Sequence, residues 1–157
     1  MSELIMSLQQ AIRSNSVEAV TSLIDEHPDL VNEADDRGFT PLIMAAYFDR
    51  LDILKILIDK GAKINEVDGA GNTALMGAVF KGFPDIVAYL LEKGASVYAR
   101  NYNGANVMTY AAGYGKPEII DMLVKVKADH TIKDNRGMTP LDHAKAQGNQ
   151  AFIDAFS

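Results

Sequence analysis

Asp35-Asp36-Arg37-Gly38-Phe39-Thr40-Pro41-Leu42-Ile43-Met44-Ala45-Ala46 decides the fold, because the chain returns to its pattern every 33 residues. Glycines stand at Gly38, Gly71, Gly104 and Gly137, and alanines keep the same phase at Ala45, Ala78, Ala111 and Ala144. Three residues before each glycine comes an acid or an amide, at Asp35, Asp68, Asn101 and Asp134. Farther along, Ile53, Ile86, Ile119 and Phe152 share one phase, and Leu57, Leu90, Leu123 and Phe156 share another. So many positions in one register mean a tandem repeat. A period of this size means a solenoid of stacked supersecondary units.

The stretch before residue 35 joins the array with one slip. Leu8, Ala11, Val20 and Leu23 match Leu42, Ala45, Leu54 and Leu57 at a spacing of 34, and the extra residue falls in Glu26-His27-Pro28-Asp29. The reading is a single domain over 1–157 with five units: 3–34 as the N-terminal cap, 35–67, 68–100, 101–133, and 134–157 as the C-terminal cap. Within a unit, Thr40 offers a capping hydroxyl just ahead of Pro41, whose fixed φ suits a first helical turn. Thr139-Pro140 repeats that pair, and Asn106 caps in the same way. A short helix with small residues follows, then a break at Phe48-Asp49, then a strongly apolar second helix from Leu51 to Asp59. Gly61 and Gly94 sit where a left-handed residue ends the second helix, and register puts Lys127 at the same point, where a Cβ is strained. The expected fold is all-α: paired helices joined by protruding turns.

The combined motif, Asp35-x-x-Gly38-x-Thr40-Pro41-Leu42-x-x-Ala45-Ala46 with Leu57-Ile58-x-x-Gly61-Ala62, resembles the ankyrin repeat signature. It recurs as Gly71-x-Thr73-Ala74-Leu75, Gly104-x-Asn106-Val107-Met108 and Gly137-x-Thr139-Pro140-Leu141. Departures fall at Ile43, Met76, Thr109 and Asp142, where the family most often has histidine, and at Lys127, where it has glycine. The resemblance implies an ankyrin-repeat solenoid with β-turn fingers. It also implies a protein partner docked on the turn tips and the exposed face of the first helices, which together form a concave groove.

Composition narrows the chemistry. The 157 residues contain no cysteine, which removes disulfides, thiolate catalysis and sulfur-ligated zinc. A net charge of −6 argues against a nucleic-acid partner. No uncharged run is long enough to span a membrane, and the start lacks the basic region of a signal peptide, so a cytoplasmic protein is expected. Gly69-Ala70-Gly71-Asn72 and Gly113-Tyr114-Gly115-Lys116 resemble scraps of phosphate loops, but neither completes a phosphate-binding motif. Of the three histidines, His27, His130 and His143, none has a metal partner at helical spacing. Asp35, Asp68 and Asp134 line up across units, and their simpler role is to accept backbone N–H groups within the turns. No cofactor, metal or catalytic residue is expected. The expected function is a monomeric, non-catalytic adaptor or inhibitor, with a small enzyme or a regulatory ligand-binding protein as the alternative.

Positions free of the repeat constraint carry the candidate site. At the tips these are Asp36, Arg37, Tyr102, Asn103, Asn135 and Arg136, with Phe39, Asn72 and Met138 beside the turn glycines. Near the ends of the first helices come Tyr47, Phe48, Phe80, Lys81 and Tyr114. Phe39, Tyr47, Phe48, Phe80, Tyr102 and Tyr114 are half of the 12 aromatic residues. Any one of them can pack on a neighbouring turn, whereas an aligned set favours the apolar centre of an interface. Tyr89 and Tyr98 fall outside this set and are assigned to packing. Residues 1–98 hold 8 basic and 15 acidic residues, whereas 99–157 hold 7 and 6. Arg100, Lys133 and Arg136 lie at or beside the last two turns, so that end of the groove is expected to be locally basic. It reads first as a solvated mixed-charge surface and second as a place where an acidic peptide is steered.

Overall fold

The computed structural model describes residues 2–156; Met1 and Ser157, the two ends of the expected domain, lie outside the described residues. Ten α-helices follow in pairs among them. The pairs are α1 Glu3–Arg13 with α2 Val17–Glu26, α3 Pro41–Tyr47 with α4 Leu51–Asp59, α5 Ala74–Lys81 with α6 Pro84–Glu92, α7 Val107–Tyr114 with α8 Pro117–Lys125, and α9 Pro140–Gln147 with α10 Gln150–Phe156. The slip in the first pair is taken up by a 3-10 helix, Pro28–Asn32, a turn type that the sequence reading did not foresee.

Each first helix starts on a side-chain cap. Thr40, Thr73 and Thr139 accept from the backbone N–H three residues on, and Ser2 and Ser16 do the same for α1 and α2. Asn106 caps α7 by accepting from Met108 and Thr109. The odd-numbered helices pack in a row, α1 on α3 on α5 on α7 on α9. Ala45, Ala78, Ala111 and Ala144 lie at this seam with no exposed surface, and small side chains let the helix axes approach. Behind them the even-numbered helices supply the core: Ile53, Leu57, Ile86, Leu90, Ile119, Leu123 and Phe152 are all 0% exposed. The 33-residue register is therefore the register of burial.

The second helices end as their glycines imply, with φ of 99° at Gly61 and 86° at Gly94. Lys127 follows them at φ 58°. First helices use the same device at Asn15, Asp49, Gly82 and Gly148. Gly115 breaks that series with φ −71°, and a Cβ on it would stand 2.4 Å from the Ala111 carbonyl oxygen.

Candidate functional site

Between helix pairs the chain makes turns built on one acceptor each. Asp35 Oδ1 accepts from the N–H of Arg37 and Phe39, and Asp68 Oδ1 from Ala70 and Asn72. Asn101 and Asp134 repeat the arrangement with Asn103 and Ala105, and with Arg136 and Met138. Successive turns are then joined by backbone bonds: Gly69 N donates to Arg37 O, Tyr102 N to Ala70 O and Asn135 N to Asn103 O. The turn glycine serves this closeness as well as its positive φ, since a Cβ at Gly38 would meet Gly69 N at 2.6 Å. The turn tips are a rigid, continuous rim.

Against this rim lies a cleft of about 340 Å³ between α3 and α5. Phe39 and Tyr47 stack on one side with ring centres 6.5 Å apart. Phe80 meets Tyr110 edge-on at 6.0 Å on the other, and Tyr114 at 5.0 Å. Ile43, Met76 and Gly77 complete the apolar lining, and Asp68, Asn72 and Thr73 line its turn end. Tyr110 is held by polar contacts: its hydroxyl donates to Asn72 Oδ1 at 2.9 Å and accepts from Asn101 Nδ2 at 3.1 Å. Burial pushes the Tyr110 hydroxyl pKa up, and the two amides only partly offset this, so it stays a neutral donor.

The sequence reading missed Tyr110. Its signal was the register itself, because Met44, Gly77, Tyr110 and His143 share one groove-facing phase. Of the expected residues, Phe39, Tyr47, Asn72 and Phe80 come together in this cleft. Phe48 lies next to it, where Arg13 stands 5.9 Å from its ring centre. Arg37 covers Phe39 at 4.6 Å and Lys81 covers Tyr47 at 4.9 Å.

A second, more polar cleft lies two repeats along, between α7 and α9, lined by Asn103, Tyr114, Asn135 and Arg136 among others, with Gly113 leaving it open. His143 Nε2 is 2.7 Å from Asp134 Oδ2 there. Burial alone would raise the Asp134 carboxyl, but the His143 ring and the N–H groups of Met138 and Arg136 outweigh it and hold its pKa below the usual range.

Other expected residues stand apart. Tyr102 projects from its tip, 68% exposed, with its ring edge against the Gly71 turn. Asp36 is an exposed tip residue, and Met138 is half-buried outside both clefts. Arg100 is not a free groove cation, because its guanidinium donates to the carbonyls of Gly104 and Lys133. Tyr98 corrects its assignment to packing: it is 67% exposed, because the junction turns its side chain outward where Asn32 and Asn65 reach toward the next turn. No group of three His, Asp or Glu side chains converges as a metal site would among the described residues.

Comparison with known families agrees with this geometry. A family model described as ankyrin repeats (3 copies) matches residues 8–101, and another, ankyrin repeats (many copies), matches 84–144. The chain belongs to the ankyrin repeat family. It is an all-α ankyrin solenoid, and no curated protein matches it. Ankyrin repeats are generally protein–protein interaction modules and typically non-catalytic. No helix among the described residues is long and apolar enough to cross a membrane.

Proposed function

We propose that this ankyrin protein is a monomeric, non-catalytic adaptor or inhibitor, one domain of five units, that docks a protein on the face formed by its turn tips and odd-numbered helices. The aromatic cleft carries the reading. Tyr47 and Phe80, at 38% and 39% exposed, border a recess with room for a partner side chain, and large aromatic residues in such recesses dominate interface energies. A stacked array with hydrogen-bonded turns also loses little entropy on docking. The turn carboxylates, which a hydrolytic site between turns would need, each spend Oδ1 on backbone N–H groups of their own turn.

The test is blind selection of peptides from a random library on the immobilised full chain, followed by affinity measurement on variants. Tyr47→Ala with Phe80→Ala and Tyr114→Ala should weaken the selected binders by several kcal/mol, since hot-spot truncations cost about 2 kcal/mol or more each. Leu90→Ala, in the core, should instead remove about 2–5 kcal/mol of stability. Selected peptides that bind the triple variant as well as the parent would place the docking face elsewhere.

A further inference from the structure

We propose that the cleft between α3 and α5 receives one bulky apolar side chain of a partner segment whose neighbouring residues are acidic. The inference rests on the groove being the docking face and adds the chemistry of its partner.

Gly77 on α5 marks where an apolar anchor enters. Glycine inside a helix is destabilising relative to alanine, and nothing in the packing demands it here. A Cβ at Gly77 would meet only Tyr47 Cδ2, at an ordinary 3.5 Å. What the missing side chain provides is the floor of the cleft, between the Phe39–Tyr47 wall and the Phe80–Tyr110 wall. A helix that gives up propensity to keep a largely apolar recess open is shaped for something that enters it.

The cations around it mark where acidic neighbours lie. Lys81 ends α5 and lies over Tyr47 of the cleft wall. Arg13 ends α1 and lies over Phe48, in an adjoining recess that shares Phe39, Ile43 and Tyr47 with the cleft. Among the described residues neither has a carboxylate within salt-bridge distance. Arg37 meets only Asp35, at 3.3 Å, and its side chain stays 63% exposed. These cations gather within residues 1–98, which hold 8 basic and 15 acidic residues, so the cleft edge reverses the local sign. Asp68 lines the opposite, turn end and spends Oδ1 on its own turn. A bound segment thus places its carboxylates over the helix ends, beside Arg13 and Lys81, and its apolar anchor against Gly77. Complementary charge of this kind sets orientation and partner choice.

The experiment titrates the full chain with three fluorescent peptides: a leucine flanked by Asp and Glu, the same peptide with lysines for the acids, and the acidic peptide with alanine for leucine. The acidic leucine peptide should bind at least about tenfold more tightly than either other peptide at low salt, and its advantage over the lysine peptide should shrink in about 0.5 M salt. Gly77→Ala should weaken it severalfold while raising the thermal midpoint, a combination that loss of folding cannot produce. Arg13→Glu with Lys81→Glu should reverse the preference between acidic and basic peptides. Equal affinity for the two charges, no measurable affinity for either, or indifference to Gly77→Ala overturns the proposal. If blindly selected peptides still depend on Tyr47, Phe80 and Tyr114 in that case, the groove stands and only its partner chemistry falls.

Discussion

Lys127 lies just past the end of α8 with a φ of 58°, a left-handed backbone that a Cβ resists. Among the described residues, three non-glycine residues have positive φ: Asn15, Asp49 and Lys127. Asparagine and aspartate tolerate that region through local hydrogen bonds, whereas lysine has no such compensation. The helix end imposes it all the same. Lys127 N donates to Val124 O and Ala128 N to Leu123 O, as Gly94 N and Ala95 N do to Leu91 O and Leu90 O. Lys127→Gly should relieve a steric cost of ~1–2 kcal/mol, less ~0.5–1 kcal/mol for the freer unfolded chain. Denaturant unfolding should therefore find the variant more stable by a few tenths to about 1 kcal/mol. Gly94→Lys should lose stability, and since nothing lies within 4 Å of a Cβ there, its loss reads the backbone alone. The position was legible in the sequence because a helix end is local geometry, fixed by residues a few places away.

At the scale of elements, the stack is tied at its junctions by asparagines. Asn32 Oδ1 accepts from Lys63 N, and Asn65 Oδ1 accepts from Ser96 N, each at 2.9 Å. Tyr98 occupies the next rung and has no amide to offer Asp129. Asn106 makes up part of the loss: while capping α7 it donates Nδ2 to Asp129 O at 2.9 Å, which a threonine cap would not reach. Asn106→Thr should keep the cap and lose the tie, destabilising by about 0.5–1.5 kcal/mol, the usual net worth of one hydrogen bond. Tyr98→Asn should restore the rung and stabilise by a similar amount, about 0.5–1.5 kcal/mol. Chemical denaturation of both single variants and the double variant checks this. A Tyr98→Asn protein no more stable than the parent would mean the Asp129 N–H needs no partner. Register alone placed Tyr98 at a junction, but which way it points depends on the chain that follows.

Across the whole molecule, ionised turn acceptors stand near both ends of the stack, each held by its own turn. Burial alone would raise the Asp35 carboxyl, but the N–H groups of Phe39 and Arg37, the Gln9 amide and the Arg37 guanidinium outweigh it and hold its pKa below the usual range. Asp134 in the last long turn is lowered as well, while Asn101 fills the same role in the third turn without charge. A carboxyl whose pKa is lower folded than unfolded stabilises the fold above its unfolded pKa, and that contribution disappears as pH falls through the folded value. Asp35→Asn should therefore lose about 1–3 kcal/mol at pH 7, the worth of hydrogen bonds to a charged group. It should converge on the parent in acid, as pH falls through a folded value that lies below the usual carboxylate range. Urea unfolding at neutral and acid pH measures it; an undiminished gap in acid would show that the loss is one of shape.

The sequence by itself determined the register, the helix pairs, the capping residues, the turn acceptors and the family, because each follows from contacts within a unit or from its repetition. Only the tertiary structure decided which exposed aromatics share a cleft, that Tyr110 joins them, that Arg100 is spent on carbonyls, and that Arg13 reaches the groove from the first helix. Those facts depend on side chains from different units meeting across the stack, where distances of a few ångströms are set by packing and not by spacing along the chain.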